Sequence, residues 1–249
     1  MPRPCNGIPP QECQALYDLY NGTQGDRWTT DLNWLTDAPV SEWWGVTVQS
    51  GHVVSIILMA NHMTGPIPSS ISNLTHLRTL MLYQNFLTGE IPTVLGSMTS
   101  LETLYLYYNN LTGEIPPELG NLSNLTSLAF SYNLLTGEIP SELGNLTNLT
   151  WLHLYSNDLT GEIPPELGNL TNLQVLNFSH NMLTGGIPLE LGNMTSLASL
   201  DLSANNLSGD LPVFLSTPPQ ETKLGWNCLY ASNPAVAASQ NRGKFKIHN

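Results

Sequence analysis

The chain has 249 residues, of which 41% are hydrophobic and only 10% charged, with a formal net charge of −12. Between Arg78 and Lys223 there is no Lys or Arg, yet that stretch carries thirteen Asp and Glu. Such a surface repels nucleic-acid phosphates and anionic membranes, and no apolar run approaches the ~20 residues a membrane-spanning helix needs.

The N-terminus, Met1-Pro-Arg-Pro-Cys, has a basic residue but no apolar stretch after it. The chain therefore shows no secretory leader: either the protein stays inside the cell or the sequence begins after a leader has been removed. Cys5 and Cys13 flank a Pro-rich loop and are expected to form a local disulfide. That leaves Cys228, read as a small buried apolar side chain. The segment around Ala15–Tyr20 is the clearest helix, and Trp28, Trp34 and Trp43 are expected beside it.

From residue 53 onward one phrase recurs. Leu-Thr-Gly-Glu-Ile-Pro stands at 87–92, 111–116, 135–140 and 159–164, with degenerate copies at 63–68, 183–188 and 207–212. A second marker keeps the same 24-residue step: Asn61, Asn85, Asn109, Asn133, Asn157, Asn181 and Asn205. Ahead of each Asn the pattern is apolar-x-x-apolar-x-apolar, as in Leu149, Leu152 and Leu154 before Asn157. The alternation predicts a short strand with one face inward. A buried Asn must satisfy its amide, and stacked copies can do so on the backbone of neighbouring coils. Gly relaxes the following bend, and Pro ends regular pairing for want of an N–H. One coil cannot bury its own apolar edge, but a stack of seven can.

Leu-x-x-Leu-x-Leu-x-x-Asn-x-Leu-Thr-Gly-x-Ile-Pro resembles the plant-specific class of leucine-rich repeats, which includes receptor-kinase ectodomains and polygalacturonase inhibitors. The resemblance implies an α/β fold: a right-handed curved solenoid of seven ~24-residue coils, a parallel sheet on the concave side, a second short sheet at Thr-Gly-x-Ile-Pro, and a helical N-terminal cap. Cys13 to Tyr20, Gly25-Asp26-Arg27-Trp28, Trp34 and Trp43-Trp44-Gly45-Val46 look like the cap of secreted bacterial, algal and oomycete members. Many relatives place a Cys pair around Trp-x-Gly-Val; here Ser41 and Val48 stand there. Asn227-Cys228-Leu229-Tyr230 with Pro234-Ala235-Val236 looks like the matching C-terminal segment, and the basic tail after Ala238 is read as frayed. The expected organisation is a cap over 1–52, repeats over 53–215, and a C-terminal cap and tail over 216–249. The resemblance implies an extracellular or cell-surface location, with a cytoplasmic one left open.

Within each strand the Leu positions are committed to the core, so only the intervening positions are free to carry function. Read coil by coil they form one field, from Ile57 and Met59 through Ala129, Ser131, Asn177, Ser179 and His180 to Asp201 and Ser203. Six of the nine tyrosines lie on it. The ligand-binding residues are expected to be Tyr83, Tyr105, Tyr107, Tyr108, Tyr132, Trp151, His153 and Tyr155, with Tyr83, Tyr107, Ser131 and Tyr155 in one column. Aromatics with a polar tip suit interface hot spots and stacking on sugar rings.

Two acidic columns, Glu90-Glu114-Glu138-Glu162 and Glu118-Glu142-Glu166-Glu190, read as a solvated face. Eleven Asn-x-Ser/Thr sequons arise mostly from the repeat phrase. No hydrolase, metalloprotease or phosphate-cradling motif is present. His153, Asn177 and Asp201 share a column beside Ser179, but His153 and Asp201 lie two coils apart, roughly 10 Å on strand spacing. His153 with His180 is too few ligands for zinc. The expected protein is a non-catalytic binding module, without cofactor, for a protein, peptide or glycan. Its oligomeric state is left open by the sequence, a monomer being favoured. The alternatives are an adhesive surface solenoid that self-associates or binds a cell-wall polymer and, more remotely, an ice-binding surface on the Thr88, Thr112, Thr136 and Thr160 ladder.

Overall fold

The computed structural model of the chain describes residue 5 and residues 7–246. The cap opens with α1 (Pro10–Gly22), whose first residue is a proline, where the missing N–H costs nothing. Its buried face carries Ala15, Leu16 and Leu19. Trp28, Trp34 and Trp43 are buried beside it, with ring centroids 4.9 Å apart for Trp28–Trp34 and 5.0 Å for Trp34–Trp43. Each indole N–H donates to a carbonyl: that of Thr23, Trp44 or Ala38 respectively. Tyr20 packs on Trp28 and Trp34, and burial together with its hydrogen bond to Asp31 pushes its phenol up to about 12. Cys5 and Cys13 are disulfide-bonded, as expected.

β1 (Val46–Gln49) and β2 (His52–Ile57) form an antiparallel pair at the edge of the main sheet. β3 (Thr64–Gly65) starts the second sheet, and β4 (Thr79–Met81) pairs parallel with β2. Further coils add β5 (Phe86–Glu90), β6 (Thr103–Tyr105), β7 (Asn110–Thr112), β8 (Ser127–Ala129), β9 (Trp151–His153), β10 (Val175–Asn177) and β11 (Ser199–Asp201). The chain ends with β12 (Ser208–Asp210), β13 (Glu221–Lys223), β14 (Cys228–Tyr230) and α2 (Pro234–Asn241). The main sheet is ordered β1-β2-β4-β6-β8-β9-β10-β11-β13, so every step after β2 is a parallel crossover. Its register puts Leu80, Leu104, Leu128, Leu152, Leu176 and Leu200 in line, all fully buried.

β3, β5 and β7 form the expected second sheet at the Thr-Gly phrase, continued by single bridges Glu138–Thr160 and Glu162–Thr184. Its glycines have positive φ, Gly137 at 76° for example, a conformation that costs other residues. After each Ile-Pro or Leu-Pro the convex side is a single turn of 310 helix, such as Ser141–Asn145. Here adjacent coils touch: a Cβ on Gly144 would lie 2.4 Å from the Glu166 carbonyl oxygen.

The asparagines form the internal ladder. The Asn133 amide donates to the carbonyls of Leu106 and Phe130 and accepts from the Leu111 N–H at 3.0 Å; the rungs from Asn85 onward repeat this set, while Asn61 bonds Thr30 of the cap. The ladder runs one rung beyond the seven expected. Asn227 accepts from the Leu207 N–H and donates to Leu202 and Leu224. Repeat geometry therefore persists past residue 215, with a step of 22 rather than 24 residues between the last two rungs.

Two expectations about the C-terminus need correction. Cys228 is exposed rather than buried, because β14 alternates outward and inward and Leu229, not Cys228, takes the inward position. The tail is also not frayed over its described part. The Asn233 side chain caps α2 by accepting from the Ala235 N–H, Val236 and Phe245 are buried, and Lys246 bridges to Lys223 of β13. The tail's apolar residues cover the last coil's open edge, which the basic residues around them obscured in the sequence.

Candidate ligand-binding face

All eight residues expected to bind a ligand come together in one connected cluster of rings along the main sheet. Registered pairing puts Met81, Tyr105, Ala129, His153, Asn177 and Asp201 in one column and Thr103, Ser127 and Trp151 in the next. Tyr83 stacks on Tyr107 at 4.3 Å between centroids, and Tyr108 on Tyr132 at 4.1 Å. Tyr132 and Tyr155 meet edge to face at 5.2 Å, and His153 joins Trp151 to Tyr155 through edge contacts. Tyr108, Tyr132 and Trp151 are exposed; Tyr83, Tyr105, Tyr107, His153 and Tyr155 are half-buried. Tyr108 and Tyr132 have φ of 54° and 53°, a left-handed conformation that turns their rings away from the strand axis.

Three positions assigned to the open field are buried instead: Ala129, Ser131 and Ser179. They are small, and larger neighbours in adjoining coils close over them. Around Ala129 and Ser131 this leaves a slot of about 270 Å³ walled by Tyr105 and Tyr107 on one side and Trp151, His153 and Tyr155 on the other. Tyr105 and Ser127 share a hydrogen bond of 2.7 Å across its floor. The Ser131 hydroxyl has no hydrogen-bond partner.

Burial favours the neutral form of His153, Tyr107 and Tyr155. Desolvation lowers the His153 pKa, favouring uncharged imidazole. Burial, followed by the neighbouring phenols, raises that of Tyr107, and burial followed by Tyr132 raises that of Tyr155.

A Ser-His-Asp relay is absent among the described residues. The Ser179 hydroxyl donates to Asn177 at 2.7 Å and the Ser203 hydroxyl to Asp201 at 2.6 Å, so neither is paired with His153. The acidic columns line an open trough of about 980 Å³ beside the second sheet, including Glu114, Glu138, Glu142 and Glu162. The Glu138 side chain lies over Gly161 of the next coil, a packing role.

Sequence reading missed one cluster. Buried Glu12 of α1 accepts from the Val53 N–H at 2.7 Å and pairs with His52 at 2.6 Å, while His76 stacks on His52 at 3.8 Å. Their donor atoms lie within 4.8 Å of one another. His52 and His76 stand one 24-residue step apart, a signal present in the sequence; the approach of Glu12 from the cap had none. Both Glu12 oxygens already serve to fasten the cap to the first coil.

Profiles described as leucine-rich repeats match residues 51–111, 124–146, 147–184 and 171–216. The leucine-rich-repeat ectodomain of the receptor kinase GASSHO1/SCHENGEN3 from Arabidopsis thaliana, solved in complex with Casparian strip integrity factor 2, is 40% identical. That match covers 69% of this chain and 21% of that chain, with a TM-score of 0.68. Pollen Receptor Kinase 3 is 30% identical over 78% of this chain and 95% of that chain, TM-score 0.68. A plant ice-binding protein is 28% identical over 90% of this chain and 81% of that one, TM-score 0.76. A search of curated proteins finds no match. The chain belongs to the leucine-rich-repeat family, and its repeats are of the plant type. It spans about a fifth of the GASSHO1/SCHENGEN3 ectodomain. No helix among the described residues is long and apolar enough to cross a membrane.

Proposed function

We propose that the protein is a non-catalytic binding module working outside the cell, which captures a protein, peptide or glycan on the aromatic part of its concave face. The observation that carries this reading is the contiguous run of stacked and edge-packed rings from Tyr83 to Tyr155. These side chains occupy positions the repeat leaves free. They stand on a rigid sheet, so little ordering entropy opposes binding. The complex of the GASSHO1/SCHENGEN3 ectodomain with its factor supports ligand capture by this type of repeat.

The test is a peptide and glycan array probed with the native chain and with the double variant Tyr107→Ala, Tyr155→Ala. The variant should lose binding by about 2 kcal/mol or more if these rings are hot spots, with little change in folding. Glu114→Ala with Glu138→Ala should leave binding intact. The reverse pattern would move the contact to the acidic flank and point to a cationic partner.

The ice-binding protein among the neighbours favours one second reading, a threonine surface on the flank. Thr88, Thr112, Thr136, Thr160 and Thr184 are exposed there. The hydroxyls of Thr160 and Thr184 already donate to Gly137 and Gly161 carbonyls, and glutamates interleave with the threonines, which weakens this surface as a lattice match. Thermal hysteresis in the purified chain would reverse that ranking.

A further inference from the structure

The run of rings crosses the coil of β8 at Tyr132 and leaves a gap beside it. There Ala129 of β8 stands between Tyr105 and His153, and Ser131, just after the strand, lines the gap with Tyr107 and Tyr155. Adjacent strands stand ~4.8 Å apart, so the flanking coils are ~10 Å apart. A stacked contact on each wall takes ~3.5–4 Å. The gap thus holds one ring, slid between Tyr107 and Tyr155 and resting on Ala129 and Ser131.

The chemistry of the walls selects that ring. Aromatic surfaces on both sides require a guest whose two faces are C–H. The floor supplies hydroxyls: Ser127 paired with Tyr105, and Ser131, which is 1% exposed and lacks a hydrogen-bond partner. A hydroxyl offers one donor and two acceptor sites, and a ring hydroxyl entering the slot would meet it. No Asp, Glu, Lys or Arg lines the slot, so it provides no anchor for a charged side chain or a chain terminus. A pyranose with all its hydroxyls equatorial has apolar C–H faces and a polar rim, matching walls and floor together; an axial hydroxyl would spoil one face.

We propose that the slot over Ala129 and Ser131, between Tyr107 and Tyr155, is a subsite for a neutral gluco-configured hexopyranose ring. The proposal rests on the concave-face reading and names the ligand class for one part of it. The opening admits the ring edge-on from the concave side, so either an oligosaccharide or the end of a polymer can reach it.

The test titrates cellotetraose into the full chain by calorimetry, with β-1,4-galactotetraose as the epimeric probe. Cellotetraose should bind saturably and about tenfold or more tighter than the galactose oligomer, on the scale of one lost well-packed contact. Ala129→Leu, which fills the slot, should abolish binding; Leu189→Ala on the convex side should not affect it. No binding of cellotetraose at millimolar concentration overturns the proposal, as does equal binding of both sugars, or full affinity in a folded Ala129→Leu chain. Should Ala129→Leu fail to fold, the two-sugar comparison on the native chain decides alone. The broader reading fails separately. If an array ligand is lost in the Tyr107→Ala, Tyr155→Ala variant but retained in Ala129→Leu, and cellotetraose does not bind, the slot proposal falls and the aromatic face stands.

Discussion

At the scale of single residues the ladder asparagines carry the most. Asn157 sits in the interior, where its amide accepts from the Leu135 N–H and donates to the Phe130 and Leu154 carbonyls. Removing that amide leaves the Leu135 N–H unpaired in an apolar stack at ~1–3 kcal/mol, while the Phe130 and Leu154 carbonyls keep their second donors, Asn133 and Asn181. Asn157→Ala should therefore destabilise the chain by about 2 kcal/mol in urea unfolding, whereas Asn124→Ala, whose amide bonds one carbonyl on the exposed convex side, should cost well under half as much. Cysteine chemistry gives a second expectation. With Cys5 and Cys13 joined and Cys228 exposed, a thiol reagent should label one cysteine in the native, non-reduced protein without denaturant. Labelling that appears only on unfolding would place Cys228 back in the core.

At the scale of elements the decisive contact is the one between successive 310 turns. Gly144 leaves room for the Glu166 carbonyl, and a methyl group there would stand 2.4 Å from it. Backbone cannot rotate away as a side chain can, so Gly144→Ala should cost about 2 kcal/mol, visible as a lowered thermal midpoint; no change would mean that the coils are less tightly stacked than described. Much of this level was legible in the sequence. The 24-residue step marks strands, bends and ladder because each coil repeats the same burial problem. Less visible were features that depend on unlike neighbours. The burial of Ser131 depends on Tyr107 and Tyr155 in other coils, and neither Ser131 nor its own strand records it. The eighth rung escaped because Pro218-Pro219 interrupts the phrase and shortens the step, although Leu224 and Asn227 keep the apolar-x-x-Asn spacing. Glu12 reaches Val53 across 41 positions, with no periodicity to announce it.

At the scale of the whole molecule, stability is a sum over coils and the interfaces between them, so the two ends matter out of proportion to their size. The cap covers the first coil with tryptophans and satisfies Asn61 through Thr30. Deleting residues 1–45 should expose that apolar edge together with unpaired strand groups, and light scattering should show aggregation; a monodisperse truncated chain would mean that the cap is dispensable. The ladder adds a direction to this sum. Asn85 bonds Leu58 and Met63, Asn109 bonds Leu82 and Leu87, and Asn227 bonds Leu202 and Leu207. From Asn85 onward every rung reaches toward the N-terminus to close the coil before it, and Asn61 reaches back to the cap. A coil is therefore finished only by its successor, and a chain emerging from the ribosome N-terminus first carries a single unfinished coil at any moment. Pulled from its two ends, the same molecule should come apart from the C-terminal side, each released asparagine loosening the turn it had locked.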